Sequence, residues 1–304
     1  METPVKIHLG YDNAEGAKIA LFLGKEQGLF KNFGIDLTIE RISPVKLGTP
    51  KLLAGEIRLL LGNSGPVVEA IALDRKPLVV IASLGPARFA IFTQGAIRKA
   101  EDLKGKSFGV STLGASQDRI ARRALGKLGL KPDRDVRIVY TGFNNSTERL
   151  RVLARGEVDA TLAGLEHLPE FPELAETESR NLKKLVDLTE IGIHVSGSDL
   201  AVTREFVKQK REIVRRFLTA LEESLRLAKE RPDLVGETFK NYLGLASPQA
   251  VESKVREYYR LNPPVRPLPD KLAIKNNLEE LEEKYPDLPL PQLSACIDES
   301  LFHS

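Results

Sequence analysis

Residues 109–116 read "GVSTLGAS" and lie between the strand-like run "KSFGV" and the helix-like run "QDRIARRALGKLG". Their spacing fits the phosphate-cradling loop G-x-x-x-x-G-K-[ST] at every fixed position but one, because Ala115 stands where that loop carries its lysine. With no lysine to reach the outer phosphates, nucleotide hydrolysis is not expected. What remains is a strand that turns through hydroxyl side chains into a helix start, where unpaired backbone N–H groups and the helix dipole favour an anion. Ser111, Thr112 and Ser116 are therefore candidate ligand contacts, with simple capping as their other role.

Outward from this loop, short β-like runs alternate with amphipathic helical runs. "VKIHLG", "IDLTIERI" and "IRLLLG" have strand character. "AEGAKIALFLGKEQGLF" is helical and ends near Gly28 as a C-cap, "PKLLAGE" closes a second helix, and a third begins in "NSGPVVEAIAL". The alternation predicts an α/β fold. Moving the numbering by 101 returns the same order without a gap: Leu9-Gly10 falls on Val110-Ser111, Gly28-Leu29 on Gly129-Leu130, and Gly55-Glu56-Ile57 on Gly156-Glu157-Val158. The chain is thus expected to hold two equivalent lobes, each a mixed sheet flanked by helices. Ligands of open α/β sheets bind beyond the carboxyl ends of the strands. The shift pairs two such places, Gly10 to Asn13 with Ser111 to Gly114, and Asn63 to Pro66 with Gly164 to His167. If the lobes face each other, the four loops line one cleft, which makes Tyr11, Asn13, Asn63, Ser64, Gly164, Glu166 and His167 candidates as well.

Two apolar runs are interrupted by small residues: 79–95 at Gly85-Pro86, and 191–206 at Ser196-Gly197-Ser198. Read as two strands crossing between lobes, they predict a hinge. The expected division is 1–87 for the first part of lobe 1, 88–195 for lobe 2, and 196–304 for the return to lobe 1 with C-terminal helices. Arg88 follows the first crossing, where a guanidinium can grip a carboxylate with two donors; a solvated surface position is its other reading. The apolar segment Leu84 to Phe92 is expected to accept the hydrophobic body of a ligand. Beyond Thr203 the pattern is helical, with Ile213, Phe217, Leu221 and Leu225 on one face, Ser247 as an N-cap and Pro248 at the first helical position.

The balance of 45 Lys and Arg against 42 Asp and Glu gives a net charge of +3 with signs well mixed, and implies neither a nucleic-acid partner nor an anionic membrane surface. Cys296 is the only cysteine, which excludes an intrachain disulfide and a cysteine metal cluster. The sequence has no H-x-x-x-H or H-E-x-x-H spacing for a metal and no G-x-S-x-G elbow for a nucleophile. No cofactor is expected. The N-terminal run passes into a strand pattern without a charged-then-apolar leader, which leaves the compartment open.

Several runs resemble one family. "LGKEQGLFKNFGIDLTI", "LLAGEI", "AEDLKGKSFGVSTLGASQD", "ALGKLGLKPDRDVRIVYTG", "LARGEVDATLAG" and "SGSDLAVTREFVKQKREIVRRFLTALEE" are similar to the solute-binding proteins of nitrate/sulfonate/taurine-type ABC importers. That group shares its fold with thiamine-pyrimidine synthases. The resemblance implies a type II periplasmic binding protein, a two-lobed clamshell that closes on one small organic ligand and delivers it to a membrane permease. It also implies a monomer in the periplasm, or anchored outside the membrane. By position it places the ligand near Tyr11, Asn13, Asn63, Ser64, Ser111, Thr112, Ser116, Gly164, Glu166 and His167. "GLEHLP" at 164–169 departs from the Trp-Glu-Pro pattern frequent in the group, so the resemblance carries the fold over more firmly than the ligand. A small organic anion is expected. The alternative is an enzyme on the same fold, a thiamine-pyrimidine synthase or a menaquinone-pathway lyase, with Asp12, Glu166 or His167 as acid or base.

Overall fold

The runs Leu78–Ser83 (LVVIAS) and Ala160–Gly164 (ATLAG) are buried at every position, as strands covered on both faces must be. Each sits inside a five-stranded mixed sheet. The computed structural model describes residues 3–12, 16–42, 45–113, 116–143, 146–165 and 182–302. These fall into two compact units, Met1–Pro86 with Ser196–Ser304, and Ala87–Val195.

In unit 1, β1 (Val5–Tyr11), β2 (Ile35–Arg41), β3 (Leu59–Gly62) and β4 (Leu78–Ser83) come from the first segment, and β10 (Asp199–Thr203) from the returning one. The sheet order is β2-β1-β3-β10-β4, with β10 antiparallel to both neighbours. Its helices are α1 (Ile19–Glu26), α2 (Leu29–Asn32), α3 (Gly48–Ala54) and α4 (Gly65–Ala72), then α7 (Arg204–Gln209), α8 (Arg211–Glu230), α9 (Pro232–Leu243), α10 (Pro248–Leu261) and α11 (Lys271–Lys284). In unit 2, β5 (Phe89–Gln94), β6 (Ser107–Val110), β7 (Arg137–Tyr140), β8 (Ala160–Gly164) and β9 (Leu182–Asp187) adopt the order β7-β6-β8-β5-β9. The helices α5 (Ser116–Lys127) and α6 (Ser146–Arg155) cover it.

The two orders are the same, strand for strand. Lys6 pairs with Asp36 and Ser107 with Arg137, each partner moved by 101. Gly28 and Gly129 have φ of 72° and 77°, and Gly55 and Gly156 have 75° and 77°, so the matching helices end in the same left-handed turn. Opposite Leu200 and Ala201 the register skips Ile81 of β4, and opposite Ile91 and Phe92 it skips Leu185 of β9, so the same irregularity recurs in both sheets. The exception is β6 against β8. Leu9 pairs with Leu59, but Phe108 rather than Val110 pairs with Ala160, a displacement of two residues. An even displacement keeps every side chain on its face.

Alternation sorts each buried strand between two cores. In unit 1, Leu59, Leu61, Val79, Ile81, Leu200 and Val202 join α1 and α8, whereas Leu60, Val80 and Ala201 join Ile71 and Ile274 on the other face. The C-terminal helices therefore finish the first unit, as their apolar stripes imply. Pro232 separates α8, which stops at Glu230, from α9, which it opens at the first turn.

The tightest helix contact is set by a glycine. A Cβ on Gly24 of α1 would lie 1.8 Å from Ser224 Oγ and 3.2 Å from the ring of Phe30, and Ser224 is fully buried on α8. Gly24→Ala should therefore destabilise unit 1 by about 1–3 kcal/mol through overpacking. Denaturant unfolding checks this; an unchanged midpoint would mean that α1 and α8 separate at little cost.

Candidate functional site

Strands β1, β3 and β4 run in one direction, so their carboxyl ends share an edge with the start of antiparallel β10. Tyr11 closes β1 there. Its ring meets Phe22 edge-on at 4.8 Å, and Phe22 meets Tyr242 at 4.4 Å. Tyr11 is thereby fixed by the core, half-buried, as a wall of this edge. Asn13 lies outside the described residues. The neighbouring Asp12 receives the Lys18 ammonium at 3.0 Å, and Arg41 Nε donates to the Asp12 carbonyl at 3.3 Å. Lys18 is buried at the entry to α1. The sequence reading passed over it, although a lysine inside the apolar run "AKIALFLG" is a signal.

Asn63 and Ser64 are occupied by the protein itself. Asn63 Oδ1 accepts from Gly65 N–H at 2.7 Å and its Nδ2 donates to the Ser196 carbonyl at 2.9 Å. Ser64 Oγ donates to Asp199 Oδ2 at 2.6 Å, beside Ser196 Oγ, which donates to the same oxygen at 2.5 Å. Asn277 Nδ2 reaches Ser64 Oγ at 3.3 Å. This buried cluster ties the start of α4 to the segment that returns into unit 1. Asp199 Oδ1 is buried and has no hydrogen-bond partner among the described residues. Burial pushes the Asp199 carboxyl up; the hydroxyls of Ser196, Ser64 and Ser83 oppose this, and the charge of Asp270 adds to it, leaving a net upward shift.

In unit 2, Arg88 precedes β5 at the matching edge. Its Nε donates to Asp187 Oδ2 at 3.1 Å and its Nη2 donates to the same oxygen. Arg88 is 23% exposed and Asp187 1%. Asp187 Oδ1 accepts from Thr189 N–H at 2.9 Å and from its hydroxyl at 2.8 Å. Burial pushes this carboxyl up, but the Arg88 and Thr189 hydrogen bonds and the Arg88 charge outweigh it and hold it below its usual range. The guanidinium is therefore held from behind by a buried anion, with Nη1 free of any partner among the described residues. Gly164 ends β8 opposite Phe89, and Leu165 N–H donates to the Arg88 carbonyl at 2.9 Å.

Ser111 is buried, and its N–H, one of the expected anion donors, is taken by Gln117 Oε1 at 3.0 Å. Thr112 is exposed. Ser116 opens α5, but its side chain is not among those described, and Glu166 and His167 lie outside the described residues. Two features of this unit escaped the sequence reading. Arg149 of α6 is buried, donating to the carbonyls of Leu162 at 3.2 Å and Phe143 at 3.1 Å; burial pulls its pKa down to about 10, so it stays charged at neutral pH. Its signal was a charge on the buried face of "RLRVLAR", one turn before Leu153. The second is a set of exposed apolar side chains, Leu113 after β6, Tyr140 at the end of β7 and Phe143 just beyond it. Of the segment expected to receive a hydrophobic ligand body, Leu84, Ala90, Ile91 and Phe92 are wholly buried in their units' cores, while Phe89 is half-buried.

Strand order, the inserted antiparallel strand and the helices on both faces define the fold of periplasmic binding proteins. The family model described as NMT1/THI5 like matches residues 17–234, and the chain belongs to that family. No curated protein matches the sequence. Among solved structures it is similar to the periplasmic aliphatic sulphonate binding protein SsuA from Escherichia coli, at 18% identity and a TM-score of 0.73 over 97% of this chain and 92% of that one. It is also similar to the alkanesulfonate-binding protein SsuA from Xanthomonas axonopodis pv. citri bound to MOPS, at 22% identity and 0.61 over 96% of each chain. The periplasmic nitrate-binding protein NrtA from Synechocystis PCC 6803 gives 13% and 0.65 over 98% of this chain and 87% of that one. No helix among the described residues is long and apolar enough to cross a membrane.

The raised carboxyl of Asp199 fixes a direction for stability. The folded state keeps a proton that the unfolded chain releases, so this group's contribution is complete below the ordinary carboxylate range, about pH 4, and is lost as pH rises through the folded value. Urea melts between pH 4 and 8 on the wild type and Asp199→Asn read this out. The variant should lack that part of the decline; parallel curves would mean that Asp199 is ionised in the fold.

Proposed function

We propose that this chain is the solute-binding component of an ABC-type importer, which takes one small organic anion, a sulfonate or a carboxylate, and delivers it to a membrane permease. The observation that carries the reading is Arg88, a partly exposed guanidinium aimed by a buried Asp187 at the carboxyl edge of its sheet. An arginine held in this way presents a fixed, pre-organised pair of donors, the geometry that suits the two oxygens of a carboxylate or sulfonate. The sulfonate- and nitrate-binding proteins that share the fold support an anionic ligand. In this reading Arg88 takes the charged head, while Ser111, Thr112, Ser116 and Gly164 in the same unit shape the surroundings. Glu166 and His167 are proposed contacts for a polar substituent. The protein acts as a monomer outside the cytoplasmic membrane and leaves its ligand chemically unchanged.

A thermal-shift screen of alkanesulfonates, arylsulfonates and carboxylates, followed by calorimetry, identifies binders. Arg88→Lys keeps the charge beside Asp187 but loses the planar fork, and should weaken anion binding roughly tenfold to a hundredfold. Stabilisation by cationic compounds alone would refute the anion assignment. Conversion of a bound compound by the pure protein, followed by mass spectrometry, would replace the receptor by an enzyme.

A further inference from the structure

We infer that unit 1 carries an anion site of its own, independent of Arg88, in which Arg204, Lys208, Arg211 and Asp298 take inorganic phosphate. The site is a cavity of about 360 Å³ where α7 and the first turn of α8 meet β4 and the C-terminal segment. Its lining is Val79, Arg204, Val207, Lys208, Arg211 and Asp298. Val79 and Val207 are buried and give it an apolar base, beside which charges are screened less than in open water.

Both arginines are held by neutral groups. Arg204 Nη2 donates to the Ala295 carbonyl at 2.6 Å, and Arg204 N–H donates to the Pro77 carbonyl at 2.8 Å, just before β4. Arg211 Nη2 donates to the Ser300 carbonyl at 2.9 Å and to its hydroxyl at 3.0 Å. Lys208 is exposed and has no partner among the described residues. The carboxylates of the same stretch are engaged elsewhere: Glu205 accepts from Gln209 at 2.8 Å, and Glu212 faces Arg216 at 3.9 Å. A carbonyl fixes a guanidinium in place without cancelling its charge. Arg88 is the contrast, because Asp187 balances it.

Asp298 is the one carboxylate in the lining, and it decides which anion fits. Its N–H donates to the Val80 carbonyl at 3.0 Å, while Val80 N–H donates to the Cys296 carbonyl at 2.9 Å, so its backbone is pinned to β4. Oδ1 accepts from Ser300 N–H at 3.0 Å and from the Ser300 hydroxyl. Oδ2 has no hydrogen-bond partner among the described residues. Three cations and one carboxylate leave a net charge of +2, which suits a dianion. A carboxylate oxygen repels an anion unless the anion brings a proton to donate. Hydrogen phosphate has both, two negative charges and one O–H. Sulfate has the charges without the proton, and a phosphomonoester has lost its last proton above a pKa of about 6.

The test is calorimetric titration of the whole protein with inorganic phosphate, sulfate and glycerol phosphate, at about pH 7.5 and matched ionic strength. Phosphate should bind at least tenfold more tightly than the other two. Lys208→Gln removes a cation that has no contact to lose, and should weaken phosphate roughly tenfold. Asp298→Asn offers sulfate an N–H in place of a repelling oxygen, and should erase the preference for phosphate. Arg88→Lys should leave phosphate binding unchanged. Circular dichroism confirms the fold of each variant, and Lys208→Gln carries the test alone if Asp298→Asn fails to fold. The inference is overturned if phosphate does not bind, if sulfate binds as tightly, or if Lys208→Gln binds phosphate like the wild type. It also falls if Arg88→Lys abolishes phosphate binding, since phosphate would then sit at the anchor of unit 2 and the receptor reading would stand without this site.

Discussion

The sheet of unit 1 cannot close until β10 arrives. This strand lies between β3 and β4, hydrogen-bonded to both, and its residues come more than a hundred positions after β4 in the chain. Until then β3 and β4 present unpaired edges of almost wholly apolar sequence, the arrangement most prone to wrong pairing. Once in place, Leu200 and Val202 fill one core and Ala201 the other, and the returning chain brings α8 against α1 and α11 against α4. The late strand and the late helices are thus one cooperative piece, and the close approach of Gly24 to Ser224 is where that piece is least forgiving. Non-local pairing of this kind is slow to form, because chain entropy is lost before the contacts offset it.

Each unit also carries a buried aspartate at the carboxyl edge of its sheet, and the two are handled by different chemistry. Asp187 is matched by a guanidinium and by both donors of Thr189, so it remains an anion and can hold Arg88 rigid. Asp199 is matched by serine hydroxyls that reach one oxygen only, and burial then favours its protonated form. One arrangement leaves a cation facing outward; the other seals a junction. The equivalence of the two units therefore extends to backbone, bulges and helix ends, but not to the polar groups at the edge.

This division explains what was legible in the sequence. Strand phases, the left-handed glycines at 28, 55, 129 and 156, and the capping Ser247 and Pro248 follow from local rules, and each lies where its pattern implies. The positions of the edge loops were legible too, because a β-run followed by a helix start determines them. The partners of their side chains were not. Ser64 reads equally as a cap or a ligand contact, and its hydroxyl goes to Asp199, a residue 135 positions away. Arg88 reads as a ligand grip or a solvated surface residue, and only the return of β9 alongside β5 supplies Asp187. Lys18 and Arg149 were hidden because each sits inside a helical pattern whose apolar spacing is satisfied without it. In the run from Leu84 to Phe92 apolar sequence alone does not separate half-buried Phe89 from the core residues Ile91 and Phe92.

The shared strand order is built from the chain in two different ways. In chain order the protein reads as two successive sets of five strands, β1 to β5 and β6 to β10. In each sheet four strands run in one direction and one is reversed, with the same register irregularity where the reversed strand meets its outer neighbour. Yet β5 completes the second sheet and β10 the first. Unit 2 is thus one continuous segment of chain, whereas unit 1 is not whole until the chain has left it and come back.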